Sequence, residues 1–436
     1  MVKQIAGAPF ASGGYGCVFR PPLKCKHNVV QERIEQFENS YVTKLMLRDA
    51  GNEEMYINKQ ILARISDLAD FEKFFSILSS IFKCDSILDL TDDDDLTDYD
   101  RICKSLNANR RVVVSSGDTA VILGIKTTNI NSRLQELMGI YMLDGGNDLH
   151  KTLSSMSRLP DLVSLPRIGQ INIKLIELLK HAVLPMNSRG VFHCDIKPSN
   201  LLLKGMEHPL QLVDWGLSSC VDDGEPLEIN GIKFMVNSII SILLLDDKSV
   251  LTNYNLDTPR GIDRLVYDII NAHVVNRDRE LNEHYTYLMH LLTLCGNHKP
   301  KDVFKNYIRT TLDRFLYKKP DGQWAFNKEE HLKIFKHNVD ICGILHCYIN
   351  MINILPTRNI HTRVTSVPVA TLLAIHAKLR QILNKYCYSD DYAGINIPVD
   401  ELFVDMEEVT ALCIPPVARQ QLSVVGGRKT RRKNLH

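Results

Sequence analysis

The sequence predicts an α+β chain in which strands come first and helices follow. Three observations carry that expectation. Up to about residue 47 the chain is rich in Gly, Pro and β-branched or aromatic residues, the composition of short strands joined by turns. Strand-like segments recur at Arg111–Ser115, Ala120–Lys126 and Gly139–Leu143. Beyond Gly145-Gly146 helical spacing dominates, broken by strand-like runs at Asn200–Leu203 and Leu210–Val213. This order fits a strand-rich first lobe and a helical second one. A length of 436 residues suits two lobes with insertions, or two to three domains.

In chain order, Asn52–Ile65 has helical spacing, with Ile57, Ile61 and Ile65 four apart and Asn52 placed as an N-cap. From Ser66 to Arg111 a helix-like part (Phe71–Phe82) precedes an acidic run, Asp92–Asp95, read as an exposed insert. The chain carries 44% apolar and 24% charged residues, enough for a large core. Its net charge of +1 gives no global sign of a nucleic-acid partner. Eleven cysteines, scattered from Cys17 to Cys413 without a Cys-x-x-Cys pair, point to reduced intracellular thiols rather than disulfides or zinc. The start lacks a secretory pattern, and the most apolar run, Phe234–Leu245, is about half a bilayer span, so a soluble intracellular protein without membrane contact is expected. The end, Gly426 to Lys433, is a basic tail. A solvated charge run is the plain reading and nucleic-acid contact the alternative.

The chemistry concentrates in Val191-Phe192-His193-Cys194-Asp195-Ile196-Lys197-Pro198-Ser199-Asn200-Leu201-Leu202, followed by Val213-Asp214-Trp215-Gly216. Asp195, a lysine two residues on, an asparagine five residues on and Asp214 supply a base, a phosphate-facing cation and two oxygen ligands for magnesium. The bland alternative is polar decoration of a turn. The string resembles the catalytic loop and metal-binding turn of a protein kinase. The resemblance implies a two-lobed, protein-kinase-like fold using ATP and Mg2+, with Mn2+ as a substitute. It implies that Asp195 orients the substrate hydroxyl and accepts its proton, Lys197 steadies the γ-phosphate, and Asn200 and Asp214 hold metal.

The rest of the chain agrees in part. Ala11-Ser12-Gly13-Gly14-Tyr15-Gly16-Cys17-Val18 resembles the kinase glycine-rich loop from its second glycine onward, with Ala11 where the first glycine usually stands. A plain turn is the alternative. Lys44, in the strand-like run Tyr41–Met46, matches the lysine that grips the α- and β-phosphates, and Glu54 is its assigned partner, with Glu53 the close alternative. Tyr141 to Leu149 resembles the adenine-binding hinge, with Met142 as gatekeeper beside Leu143 and Asp144; any strand followed by a flexible turn would read the same.

Three departures stand out. Cys194 replaces the usual arginine, which implies activity independent of an activation-loop phosphate. Trp215 replaces phenylalanine, and no Ala-Pro-Glu closes the activation segment. Asn338 to Leu345 resembles the central helix of the larger lobe, where an aspartate near the helix start ties down the catalytic loop. Asp340 takes that place, or is a simple cap. A long insert with helical runs at Ile262–His273 and Glu283–Cys295 precedes it.

The domain expectation is therefore an N-lobe over 1–143 with an insert at about 66–111. A C-lobe over 144–390 follows, with an insert at about 220–336, and then a C-terminal extension over 391–436. Lys197 favours serine/threonine protein substrates. The strings Gly-Gly-Tyr-Gly-Cys-Val-Phe and Pro-Pro-Leu-Lys-Cys, with the missing Ala-Pro-Glu and the basic tail, resemble the divergent kinases of large double-stranded DNA viruses, which implies host cytoplasm or virion. A pseudokinase scaffold and a small-molecule or lipid kinase are the alternatives.

Overall fold

The structure, a computed structural model, describes residues 8–12, 16–23, 41–76, 83–84, 103, 106, 108–116, 119–128, 136–222, 250–275, 279–355 and 367–414. Gly13, Gly14, Tyr15, the acidic run, the apolar run at 234–245 and the basic tail lie outside the described residues. The chain mixes helix and sheet and divides into two compact units, Met1–Ala63 with Ser76–Gly146, and Arg64–Phe75 with Asn147–His436.

The first unit holds β1 (Ala8–Ser12), β2 (Gly16–Arg20), β3 (Tyr41–Leu47), most of α1 (Arg48–Ile65), β4 (Lys83–Cys84), β5 (Ala108–Ser116), β6 (Thr119–Thr128) and β7 (Leu137–Leu143). One antiparallel sheet runs β1-β2-β3-β7-β4, and β5 and β6 form a separate hairpin. Central β3 is buried from Val42 to Met46, which is why it reads as a nearly unbroken apolar run around one lysine. Gly16 lets β2 approach β3 closely, since a Cβ there would stand 2.7 Å from the Leu45 carbonyl oxygen.

Two expectations fail in this unit. The helix begins at Arg48, directly after β3, so Asn52 lies inside it and is no N-cap. Asp49 in the first turn suits the positive end of the helix dipole. Gly51 permits the early start against the sheet, because a Cβ would stand 2.4 Å from Met138 Sδ. Second, Cys17 and Cys103 form a disulfide across a separation of 86 residues, and both are buried. Close cysteine spacings are the local sign of a disulfide framework, and a bridge closing so long a loop leaves none. Cys194, Cys220, Cys295, Cys342, Cys347, Cys387 and Cys413 are free thiols.

The second unit opens with α2 (Phe71–Phe74), and Phe75 then bridges to Leu212; of the helix-like part expected over Phe71–Phe82, residues 77–82 lie outside the described residues. After β8 (Asn147–Asp148) come α3 (Leu149–Met156) and α4 (Asp161–Leu178). A π-helical turn, Leu179–Val183, carries α4 into α5 (Leu184–Ser188). Short strands β9 (Val191–Phe192), β10 (Leu201–Leu203), β11 (Gln211–Leu212) and β12 (Ser219–Cys220) follow, paired as β11-β10-β8 and β12-β9.

Next come α6 (Pro259–Val275), α7 (Arg279–Leu294), α8 (Pro300–Phe315) and a hairpin of β13 (Leu316–Lys318) and β14 (Trp324–Phe326). Then α9 (Lys328–Ile354) runs for 27 residues and is buried along most of its second half, as a helix apolar on all sides must be.

The last helices are α10 (Val369–Leu383) and α11 (Val399–Cys413). Residues 391–414 lie in the second unit. Asn172 Nδ2 of α4 donates to Met406 O at 2.6 Å and Thr410 Oγ1 at 2.9 Å, and Tyr348 Oη donates to Asn172 Oδ1 at 2.6 Å. Gly169 fits against Cys413 and Ile414 where a Cβ would not. Among the described residues no helix is long and apolar enough to cross a membrane.

Candidate active site

In the second unit the chain turns sharply after β9. Cys194 adopts φ +61°, a left-handed conformation that a cysteine rarely takes, so something must hold it there. Asp340 does. Its Oδ2 accepts the His193 N–H and its Oδ1 the Cys194 N–H, each at 2.9 Å. Asn187, its amide oriented to satisfy both ends, adds a donor to Asp340 Oδ2 at 2.9 Å and another to Val191 O at 2.9 Å. Asp340 is fully buried and sits in the middle of α9, far from its start. The capping alternative is thereby excluded. Burial pushes its carboxyl up from the usual range, against the His193 and Cys194 backbone bonds that favour the carboxylate.

His193 completes the lock. Its Nε2 lies 3.0 Å from Val213 O and its Nδ1 accepts the Asp195 N–H at 3.3 Å, a pair of bonds that places the proton on Nε2. Cys194 itself is buried, and its thiol is pushed well up by burial and by the Asp340 and Asp195 charges, so it carries no charge here.

These bonds present Asp195. Its Oδ2 receives Lys197 Nζ at 2.6 Å and Asn200 Nδ2 at 2.9 Å, and Asn200 Nδ2 also reaches Asp195 O at 2.9 Å. Asp195 and Asn200 are buried, while Lys197 is about 41% exposed at its side chain, leaving the ammonium within reach of an incoming anion. The pairing of Leu201 with Leu212, extended by the Val213 N–H bond to Asn200 O at 3.1 Å, brings the chain at Asn200 alongside the residue before Asp214. Asp214 takes φ +67° and ψ +70°, a region aspartate tolerates better than most residues. Trp215 packs on the His193 ring (centroids 4.7 Å apart) and on Phe75 (6.0 Å). Its buried Nε1 has no hydrogen-bond partner among the described residues.

The fit of this set to magnesium rests on donor chemistry. Asn200 commits its N–H groups to Asp195, which leaves its amide oxygen as the end suited to a cation. Asp214 adds a carboxylate, and Mg2+ is commonly held by one or two carboxylates completed by waters and substrate phosphates.

In the first unit, Lys44 Nζ meets both oxygens of Glu54, at 2.9 and 2.8 Å, while Glu53 is exposed. Both partners are buried. A buried ion pair is poor evidence of stabilisation, because desolvation offsets the attraction, so this one calls for another reason to exist. One turn on, Asn58 is buried with both ends of its amide unsatisfied among the described residues.

Around the proposed phosphate loop, Ala11, Ser12, Gly16, Cys17 and Val18 lie on β1 and β2, paired as Ala11↔Val18 and Ser12↔Cys17. Met142 packs beside Met46, Met138 and Ile140; Leu143 is exposed; Asp144 accepts from Arg20 and from Gly146 N–H at 2.9 Å. The roles of Arg20 and Asn187 had no signal in the sequence, since Arg20 meets Asp144 and Asn187 meets Asp340, each more than a hundred residues away.

No family model matches the chain. Over 74 residues it is 27% identical to the serine/threonine-protein kinase KSP1 of Saccharomyces cerevisiae (strain ATCC 204508 / S288c), a stretch covering 17% of this chain and 6% of that relative. Among solved structures it is similar to the ROP18 kinase domain in complex with AMP-PNP and sucrose, with a TM-score of 0.27, 17% identity and coverage of 50% of this chain and 53% of that one.

Proposed function

We propose that the chain is a protein kinase, transferring the γ-phosphoryl group of ATP to serine or threonine hydroxyls of proteins. The observation that carries this reading is the Asp195 carboxylate, bonded to Lys197 and Asn200 on a turn whose backbone is fixed by a buried aspartate. The catalytic-loop string and the short likeness to a serine/threonine kinase support it. In this reading Asp195 orients the substrate hydroxyl and takes its proton, and Lys197 offsets charge on the transferring group. Asn200 and Asp214 hold Mg2+, which supplies charge neutralisation on the phosphates. Lys44, kept extended by Glu54, grips the α- and β-phosphates, with residues 11–18 as the phosphate loop and 142–144 as the adenine-facing hinge. Placement among viral kinases rests on the sequence strings alone.

The test is transfer of label from γ-labelled ATP to a casein-like protein with Mg2+. Asp195→Asn and Lys44→Met are each expected to lower kcat by about a thousandfold or more while the far-ultraviolet circular dichroism is kept. Full activity in Asp195→Asn would refute the assignment. Label appearing on a sugar or inositol and not on protein would redirect it to a small-molecule kinase, and ATP binding without turnover would make it a scaffold.

A further inference from the structure

The segment that leaves the Asp214 turn is anchored by an arginine that no motif flags. β12 pairs with β9, and Val221 N–H then donates to Gly190 O at 2.9 Å. Arg64, at the end of α1, donates from Nη1 to Val221 O at 3.2 Å and places Nη2 2.9 Å from Asp222 Oδ1. Arg189 answers from the turn before β9, donating to Arg64 O at 3.0 Å and Asp67 Oδ1 at 2.6 Å. Gly190, at φ +71°, is the space the knot needs: a Cβ there would stand 2.2 Å from Val221 O and 3.1 Å from Arg64 Nη1.

We propose that Arg64 is a positioning residue that fixes residues 219–222 beside the catalytic loop, so that the Asp214 turn keeps its shape with no phosphate on the following segment. The inference rests on the kinase reading and deepens it. Cys194 is neutral and buried, and so offers no cation to recruit a phosphate. The guanidinium of Arg64 instead grips a main-chain carbonyl, an acceptor always present. Asp222 is largely exposed (73% at its side chain), so the ion pair contributes little and the carbonyl bond carries the effect.

The experiment uses the full chain, treated with a broad-specificity phosphatase that is then removed. Wild type is expected to keep its rate after treatment. Arg64→Ala should lose about 10- to 100-fold in kcat with KM for ATP within about twofold, as expected for one charge-assisted bond that acts on positioning and not on nucleotide binding. Arg64→Lys, able to reach the carbonyl, should recover most of the loss, and Asp222→Ala should change kcat by less than about threefold. Hydrogen exchange at Val221 N–H should accelerate in Arg64→Ala while the amides of α9 stay protected. If wild type transfers phosphate but loses it on phosphatase treatment, or if Arg64→Ala matches wild type in kcat and exchange, the clamp is wrong and the kinase reading stands. If wild type transfers no phosphate to protein under any condition, the kinase reading fails and this role fails with it.

Discussion

Replacing Asp340 by asparagine keeps the side chain's shape and removes its ability to accept on both oxygens. In the native chain Oδ1 receives Cys194 N–H and Oδ2 receives His193 N–H, each at 2.9 Å, with Asn187 as a third donor. An asparagine satisfies one side and turns an NH2 toward the other, so at least one charge-assisted bond, about 1.5–3 kcal/mol, is lost. A buried N–H then faces a donor, at about 1–3 kcal/mol more. Part of this is returned, because the carboxylate is itself desolvated and its pKa already raised. A net loss of about 2–4 kcal/mol follows.

The loss should concentrate at one turn, since the φ of +61° at Cys194 is held by these same bonds. Trp215 packs against the His193 ring, so its fluorescence reports on that turn. Trp324 is the second tryptophan of the chain, and a Trp324→Phe background isolates the signal. Urea denaturation followed by circular dichroism measures the global term, and phosphate transfer the local one. A stability change below about 0.5 kcal/mol together with an unchanged kcat would refute the argument that Asp340 holds the catalytic turn.

The Cys17–Cys103 bridge closes a loop of 86 residues, so by chain entropy Cys103→Ser should destabilise the first unit by up to about 4–5 kcal/mol; equal urea midpoints with and without dithiothreitol in wild type would deny the bridge. His331 is caged by Phe315 and Phe326, and burial holds its pKa down to about 4 with neither nitrogen bonded among the described residues. The unfolded chain protonates this histidine near its ordinary 6.5, so its contribution is whole above that pH and is lost as pH falls toward about 4. The span of 2.5 units is worth up to about 3 kcal/mol. His331→Leu should therefore flatten part of the acid limb of Tm against pH; an unchanged limb would place the titration elsewhere.

What the sequence could show follows from where each signal lies. The Asp195–Asn200 string is local: its hydrogen bonds span two to five residues, so spacing alone encodes the geometry. Strands β3 and β7 were legible because buried strands write their pattern in consecutive residues. Lys44 and Glu54 are ten residues apart across a strand–helix junction, and the helical face marked by Ile57 and Ile61 favours Glu54 over Glu53. The start of α1 was misjudged because asparagine is a good cap in general, while here β3 runs straight into helix. The disulfide and the Asn187 and Arg64 contacts were invisible, since each joins residues 86 or more apart or acts through a partner's backbone. Asp340 stood between. Its residue type was legible, but its depth within a 27-residue helix was not.

That depth explains how so long a segment can separate Asp222 from α9. The chain leaves the Asp214 turn past a point held by Arg64 and enters α9 through Asn327, whose N–H donates to Phe315 O at 2.8 Å and whose side chain accepts Glu330 N–H at 3.2 Å. Between two fixed ends, added length raises the closure cost only logarithmically, so α6 to α8 and the β13–β14 hairpin can be present without loosening either. Asp340 lies thirteen residues into α9, more than three turns past the re-entry point, so the residue that holds the Cys194 turn is set within the helix and not at its junction with the preceding segment.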